Sequence, residues 1–187
     1  DLHLCDRRQR QMCIRDRYEE NEYRNDFFGF RITLDDTWSD TGYQELNAEC
    51  LAERGISVYQ PLEEEINRLD NYDIYGDMLY LLSETSSEKP YKIQVIVGKE
   101  EYSMDYCVGS VTRALKVRGS DVQVEEEYIK LETSSLRSLH ATGLVVDGTE
   151  AYVRILLTRS GDYAAAIVMI TYGEDHLNEL MQYVSFQ

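Results

Sequence analysis

The side chains able to do chemistry are few in this sequence, and they are scattered. Three histidines and four cysteines are spread over 187 residues. His140 falls near the start of a strand-like run, and His176 in the first turn of a C-terminal helical stretch. Neither has an Asp-x-His or Cys-His neighbour at a spacing that would make it a metal ligand or a general base. No serine has a base beside it in the sequence, so a hydrolytic triad would have to be assembled across the fold. There is no phosphate-cradling glycine loop, no nucleophile elbow and no H-E-x-x-H zinc pair. Glu63, Glu64 and Glu65 suggest a cation site at first sight. Consecutive helical residues point in different directions, so the triplet reads as a solvated helix start. The sequence therefore nominates no catalytic, cofactor-binding or metal-binding residue, and the expectation is a protein that is not an enzyme and carries no cofactor.

Cys50 and Cys107 both fall on inward faces of expected helices, where a cysteine packs as a small hydrophobe. A disulfide joining those helices is the alternative in an exported protein. The 15 tyrosines suit half-buried sheet positions and binding surfaces alike, since each buries a ring and keeps a wet hydroxyl.

Charge narrows the partners. The formal net charge is −16 and 43% of residues are apolar, which describes an acidic, globular chain of single-domain length. Phosphate recognition needs a basic stripe, so nucleic acid is not an expected partner, and anionic lipid is disfavoured for the same reason. No apolar run approaches the roughly 20 residues of a membrane-spanning helix. Another protein is the expected partner, with a basic partner or a bound cation as the sharper reading of the charge.

Residues 1–17 stand apart. They hold five arginines, three aspartates, Cys5 and Cys13, without helical or strand periodicity. Met12, Cys13, Ile14, Arg15 and Asp16 match one reading frame of a common sequencing adapter, so this tail reads as non-native, with a genuine basic arm as the alternative. Setting it aside leaves residues 18–187 as a single α+β domain with a charge of −18. Any signal peptide or lipid-bearing cysteine would then precede that domain.

The elements that must position these groups follow from periodicity. Residues 18–26 are polar and read as a lead-in. Phe28, Phe30, Ile32 and Leu34 share one face of a strand over residues 27–34. A turn at Asp35, Asp36 and Thr37 follows, then Trp38, the one tryptophan, a core anchor. Helices are expected from Thr41 to about Gly55 and from Pro61 to about Leu69. Residues 78–84 and 91–97 read as a hairpin of strands, residues 100–118 as the best helix, and residues 122–131 and 136–146 as further strands. Asp147-Gly148 and Ser160-Gly161 are hairpin signals between apolar runs. The run over residues 164–170 is apolar on both sides, so it is expected to be a central, buried strand. Asp175 then caps a last helix carrying Leu177, Leu180, Met181 and Val184 on its inner face.

Two stretches carry a resemblance. Tyr23, Asn25, Phe28-Gly29-Phe30, Ile32, Leu34-Asp35-Asp36 and Trp38 resemble the opening motif of the PsbP-like family, with Asp35 at the usual proline position. Gly161-Asp162-Tyr163 through Ile170, and Glu174 through Val184-Ser185-Phe186, resemble its closing segment. The resemblance implies an α/β/α sandwich on a central antiparallel sheet. It also implies a binding or assembly protein rather than an enzyme, nearest to uncharacterised bacterial lipoproteins: an extracytoplasmic, lipid-anchored domain of the cell envelope. A cytoplasmic adaptor is the alternative, followed by an enzyme with a site assembled across the fold. No family ligand site transfers residue by residue.

Overall fold

The computed structural model describes residues 16–19, 22–26, 28–40, 78–99, 103–131, 135–160 and 163–186. In chain order they form β1 (Asp16–Glu19), β2 (Glu22–Asn25), β3 (Phe30–Thr33), β4 (Trp38–Asp40), β5 (Met78–Ser86), β6 (Tyr91–Lys99), α1 (Met104–Lys116), β7 (Gln123–Lys130), β8 (Ser135–Val146), β9 (Thr149–Ser160), β10 (Tyr163–Tyr172), α2 (Leu177–Leu180) and β11 (Val184–Phe186). A 3-10 turn, Met181–Tyr183, joins the last two. The helices expected at residues 41–55 and 61–69, Cys50 and Glu63 to Glu65 lie outside the described residues. So do residues 1–15, whereas Asp16 and Arg17, counted above with the tail, open β1.

The strands make two antiparallel sheets, so the chain is a sheet-rich α+β protein. One sheet has the order β1-β2-β3-β11 and the other the order β4-β5-β6-β10-β9-β8-β7. The two-sided apolar strand, β10, is the middle strand of the seven, flanked by β6 and β9. Ala165, Ile167 and Met169 turn to one face, where they join Ile93, Val95, Leu156 and the four-stranded sheet's Phe30 and Ile32 in one core. Val168 turns to the other face, where Val153, Ile155 and Leu157 of β9 pack with Val108 and Leu115 of α1. Apolar residues on both sides of β10 are thus the direct record of a core on each side.

α1 starts where its cap permits. Ser103 Oγ accepts a hydrogen bond from the Tyr106 N–H at 3.3 Å, so the helix opens at Met104, four residues later than the expected boundary. Its buried stripe is Cys107, Val108 and Leu115.

Local chemistry also redraws the N-terminal region. The expected lead-in is a hairpin, β1–β2, and its Tyr23 and Asn25 are buried. Asn25 is satisfied there: its Nδ2 donates to Tyr23 Oη at 3.0 Å and its Oδ1 accepts from the Phe28 N–H at 3.1 Å. That turn delays β3 to Phe30, although Phe28, Phe30, Ile32 and Leu34 are buried as the alternation predicts. Asp35 braces its turn with hydrogen bonds, accepting from the Thr37 N–H at 2.9 Å and from the Thr37 hydroxyl. Trp38 is buried edge-on against Tyr183, 5.3 Å between centroids. The last helix is a single turn, and Val184, expected on it, instead opens β11 opposite Ile32.

Three residues of positive φ shape the meander at two places. Asp147 (φ 50°) and Gly148 (φ 80°) form the tight β8–β9 turn that the Asp-Gly pair predicts. Gly143 (φ 75°) sits at a register shift between Ala141 and Leu144, and a Cβ there would lie 2.3 Å from the Asp121 carbonyl oxygen. This bulge lets the α1–β7 connection press against β8.

Candidate functional site

The two histidines without neighbours in sequence both border the connection between β10 and α2, His140 through Asp175 and His176 through Glu174 and Glu179. Thr171, fully buried at the end of β10, organises that connection: its Oγ1 donates to the Glu174 carbonyl at 2.8 Å and accepts from the His176 N–H at 3.4 Å. The Gly173 N–H donates to the Glu150 carbonyl at 2.8 Å, tying the loop to β9. Asp175 Oδ1 accepts from the Leu177 N–H at 3.1 Å, so the expected capping role holds one residue before the helix boundary.

From this loop two polar arrangements spread. The first is a clasp. Glu179, on α2, receives Lys89 Nζ at 3.1 Å and Tyr91 Oη at 3.0 Å on Oε2, and lies 2.9 Å from His176 Nδ1 through Oε1. The lysine bond first, then the tyrosine and histidine bonds, hold the Glu179 carboxyl down to about 2 from its ordinary 4.5. Burial, with the Glu179 bond second, raises the Tyr91 hydroxyl. His176 Nε2 lies 3.3 Å from Glu174 Oε2, so the imidazole is bracketed by carboxylates on opposite sides. Lys89 is placed by Ser86, whose Oγ accepts from the Lys89 N–H at 3.2 Å. Its ammonium stands 5.3 Å from the Tyr91 ring centroid. Lys89, Pro90, Tyr91, Tyr172, Glu174 and His176 help to line an open cleft of about 510 Å³.

The second arrangement lies on the sheet beside α2. His140, in the middle of β8 rather than at its start, brings Nε2 to 3.2 Å from Asp175 Oδ2, although the angle is too poor for a directed hydrogen bond. Opposite it on β9, Arg154 reaches Glu127 of β7 at 3.3 Å and donates to Asn178 Oδ1 at 3.1 Å. Ser138, two residues before His140 on the same strand face, is completely buried and its Oγ bonds nothing. A serine in that state offers no nucleophile to a substrate, so Ser138, His140 and Asp175 do not make a triad.

A scan against protein-family models finds no match, and a search of the curated proteins finds none either.

The remaining chemistry is ionic. On the opposite face of the sheet, Arg137 bridges Glu126 Oε1 at 2.7 Å and the Asp105 carboxylate of α1. Those bonds raise the arginine's pKa and lower that of Glu126. Cys107 is buried on α1, as its position on the inward face implies. Among the described residues no group of three or more His, Cys, Asp and Glu is placed to hold a metal ion. In the clasp the reason is visible: Glu174 and Glu179 approach different nitrogens of His176, so the donors diverge. Lys89, Tyr91, Glu179, Arg154 and Glu127 carried no motif, because each contact joins residues far apart in sequence. Only the alternation of Tyr91 with Ile93, Val95 and Val97 marked its inward direction.

Proposed function

We propose that this chain is a non-enzymatic protein-interaction domain that binds a basic, extended segment of another protein along β7. The observation that carries the reading is the character of that strand. β7 pairs only with β8 among the described strands and forms an edge of the seven-stranded sheet. It carries Glu125, Glu126 and Glu127 in succession, and Tyr128 is 63% exposed. An edge offers unpaired backbone donors and acceptors to an added strand. Like charge repels a second copy of this chain, while Glu125, next to Glu126 and Glu127 that already pair with Arg137 and Arg154, favours a lysine or arginine on the added strand.

Two features support the non-enzymatic part. Both nitrogens of His176 are engaged by carboxylates, and Ser138 is sealed from solvent. The enzyme alternative has one observation on its side, an imidazole beside carboxylates in an open cleft. Its test is loss of a measurable hydrolytic activity in His176→Gln. Among the described residues the layers are α1, the seven-stranded sheet and the four-stranded sheet, so of the α/β/α sandwich that the resemblance implies only the central antiparallel sheet with a helix on one face is matched. The proposed site of action, the bacterial cell envelope, rests on the PsbP-like resemblance alone.

The binding proposal is tested with an extended peptide of alternating lysine and valine, read by amide chemical shifts. Shifts concentrated in β7 and β8, lost in Glu125→Lys and lost with a glutamate-valine peptide, are the expected result. Shifts elsewhere, or none, overturn it.

A further inference from the structure

We propose that the cleft between Lys89 and α2 is a second, separate recognition site, one that receives the guanidinium group of an arginine side chain, and that Lys89 is a resident plug which the ligand displaces. The chain's own ammonium displays the binding mode. Lys89 Nζ is held between the Glu179 carboxylate at 3.1 Å and the Tyr91 ring at 5.3 Å from its centroid. An anion on one side and an aromatic face on the other is the environment that captures organic cations. The tilted His176 ring, 5.8 Å from Tyr91, extends the aromatic wall, and Pro90 and Tyr172 supply apolar lining.

Guanidinium fits this cleft better than ammonium. It is planar, stacks on aromatic rings and presents several donors in a fork. Here it can meet the Glu179 carboxylate that now holds the Lys89 ammonium, in a cleft that Glu174 also helps to line. The plug is cheap to remove. Lys89 is half-exposed, as is Glu179, and a solvated ion pair of this kind is individually weak. The floor stays in place when it leaves, because Tyr91 is buried in the core and α2 is anchored by the buried Leu177 and Leu180. The net charge of −16 favours approach of a cationic partner. The inference does not rest on β7, which lies at an edge of the sheet away from β6 and β10.

The test uses the whole chain and N-acetyl-arginine amide, with amide shifts of Tyr91, Tyr172, Glu174 and His176 as the readout. Saturable shifts at those residues are expected for the wild type. Lys89→Ala is expected to tighten binding by up to about 5-fold by removing the competitor, the most that one exposed ion pair contributes. Glu179→Gln is expected to abolish it, with the β10 amide shifts checking that the fold is kept. N-acetyl-citrulline amide, the neutral isostere, is expected not to bind. Equal binding of the citrulline compound, weaker binding in Lys89→Ala, or shifts that avoid the cleft would each overturn the proposal.

Discussion

His140 on β8 and Asp175 in the loop after β10 approach to 3.2 Å, a contact that joins the Gly173–Glu150 and Arg154–Asn178 bonds in holding the β10–α2 connection against the sheet. Asp175 has a second duty, accepting the Leu177 N–H through its other oxygen. Removing the carboxylate therefore loses a helix cap and leaves His140 without its neighbour. Asp175→Ala is expected to destabilise the protein by about 1–2 kcal/mol in urea unfolding. Asp175→Asn keeps the capping oxygen and is expected to cost about half as much. Equal losses in both would show that the cap contributes nothing.

The clasp on Glu179 has a defined acid limb. Its folded pKa, about 2, lies below the ordinary 4.5. A depressed acid stabilises the fold above its ordinary value and loses that contribution as pH falls through the folded value. The window is thus 4.5 down to about 2. The lysine partner behaves in the opposite sense: its pKa is raised above 10.5, chiefly by the Glu179 bond, so its share holds below 10.5 and fades as pH rises through the raised value. In a carboxyl carbon NMR titration, the Glu179 midpoint is expected near 2, moving toward 4.5 in Lys89→Ala. A wild-type midpoint at 4.5 refutes the clasp.

Gly143 is expected to tolerate no side chain. Its φ of 75° disfavours any L-residue, and a Cβ would meet the Asp121 carbonyl at 2.3 Å. Gly143→Ala should cost upward of about 2 kcal/mol by thermal unfolding. Gly148→Ala shares a positive φ but meets open space, so its loss should be smaller. Indistinguishable melting temperatures would mean that the α1–β7 connection does not press on β8.

The central strand carries the largest single-residue costs. Ile167, with no exposed surface in the middle of β10, packs against Val95 and Leu156 on its own face. Ile167→Ala is expected to destabilise by about 2–5 kcal/mol. Val145→Ala, at an exposed position, should change stability by less than about 0.5 kcal/mol. A small loss at Ile167 is incompatible with β10 as the middle of a two-sided core.

Much of this architecture was legible in local pattern. Alternation over Ala151 to Leu157 separated the two faces of β9, and the Asp-Gly pair marked its turn. The doubly apolar run of β10 declared its central position, because only a strand covered on both sides can bury both sets of side chains. The buried hairpin at Tyr23 and Asn25 was hidden by its polarity. Asn25 is inside because two specific hydrogen bonds satisfy it, which composition does not encode.

What the sequence determined by itself is therefore local or compositional: which residues face inward, where turns fall, and the acidic balance of the chain. Tertiary structure alone decided which charges meet. Lys89, Tyr91, His176 and Glu179 converge because β6 and β10 are neighbours in the sheet and the β10–α2 loop folds back over their ends. Side-chain periodicity acts over a few residues, whereas ionic contacts act through space at a few ångströms, so only the assembled sheet brings them within reach.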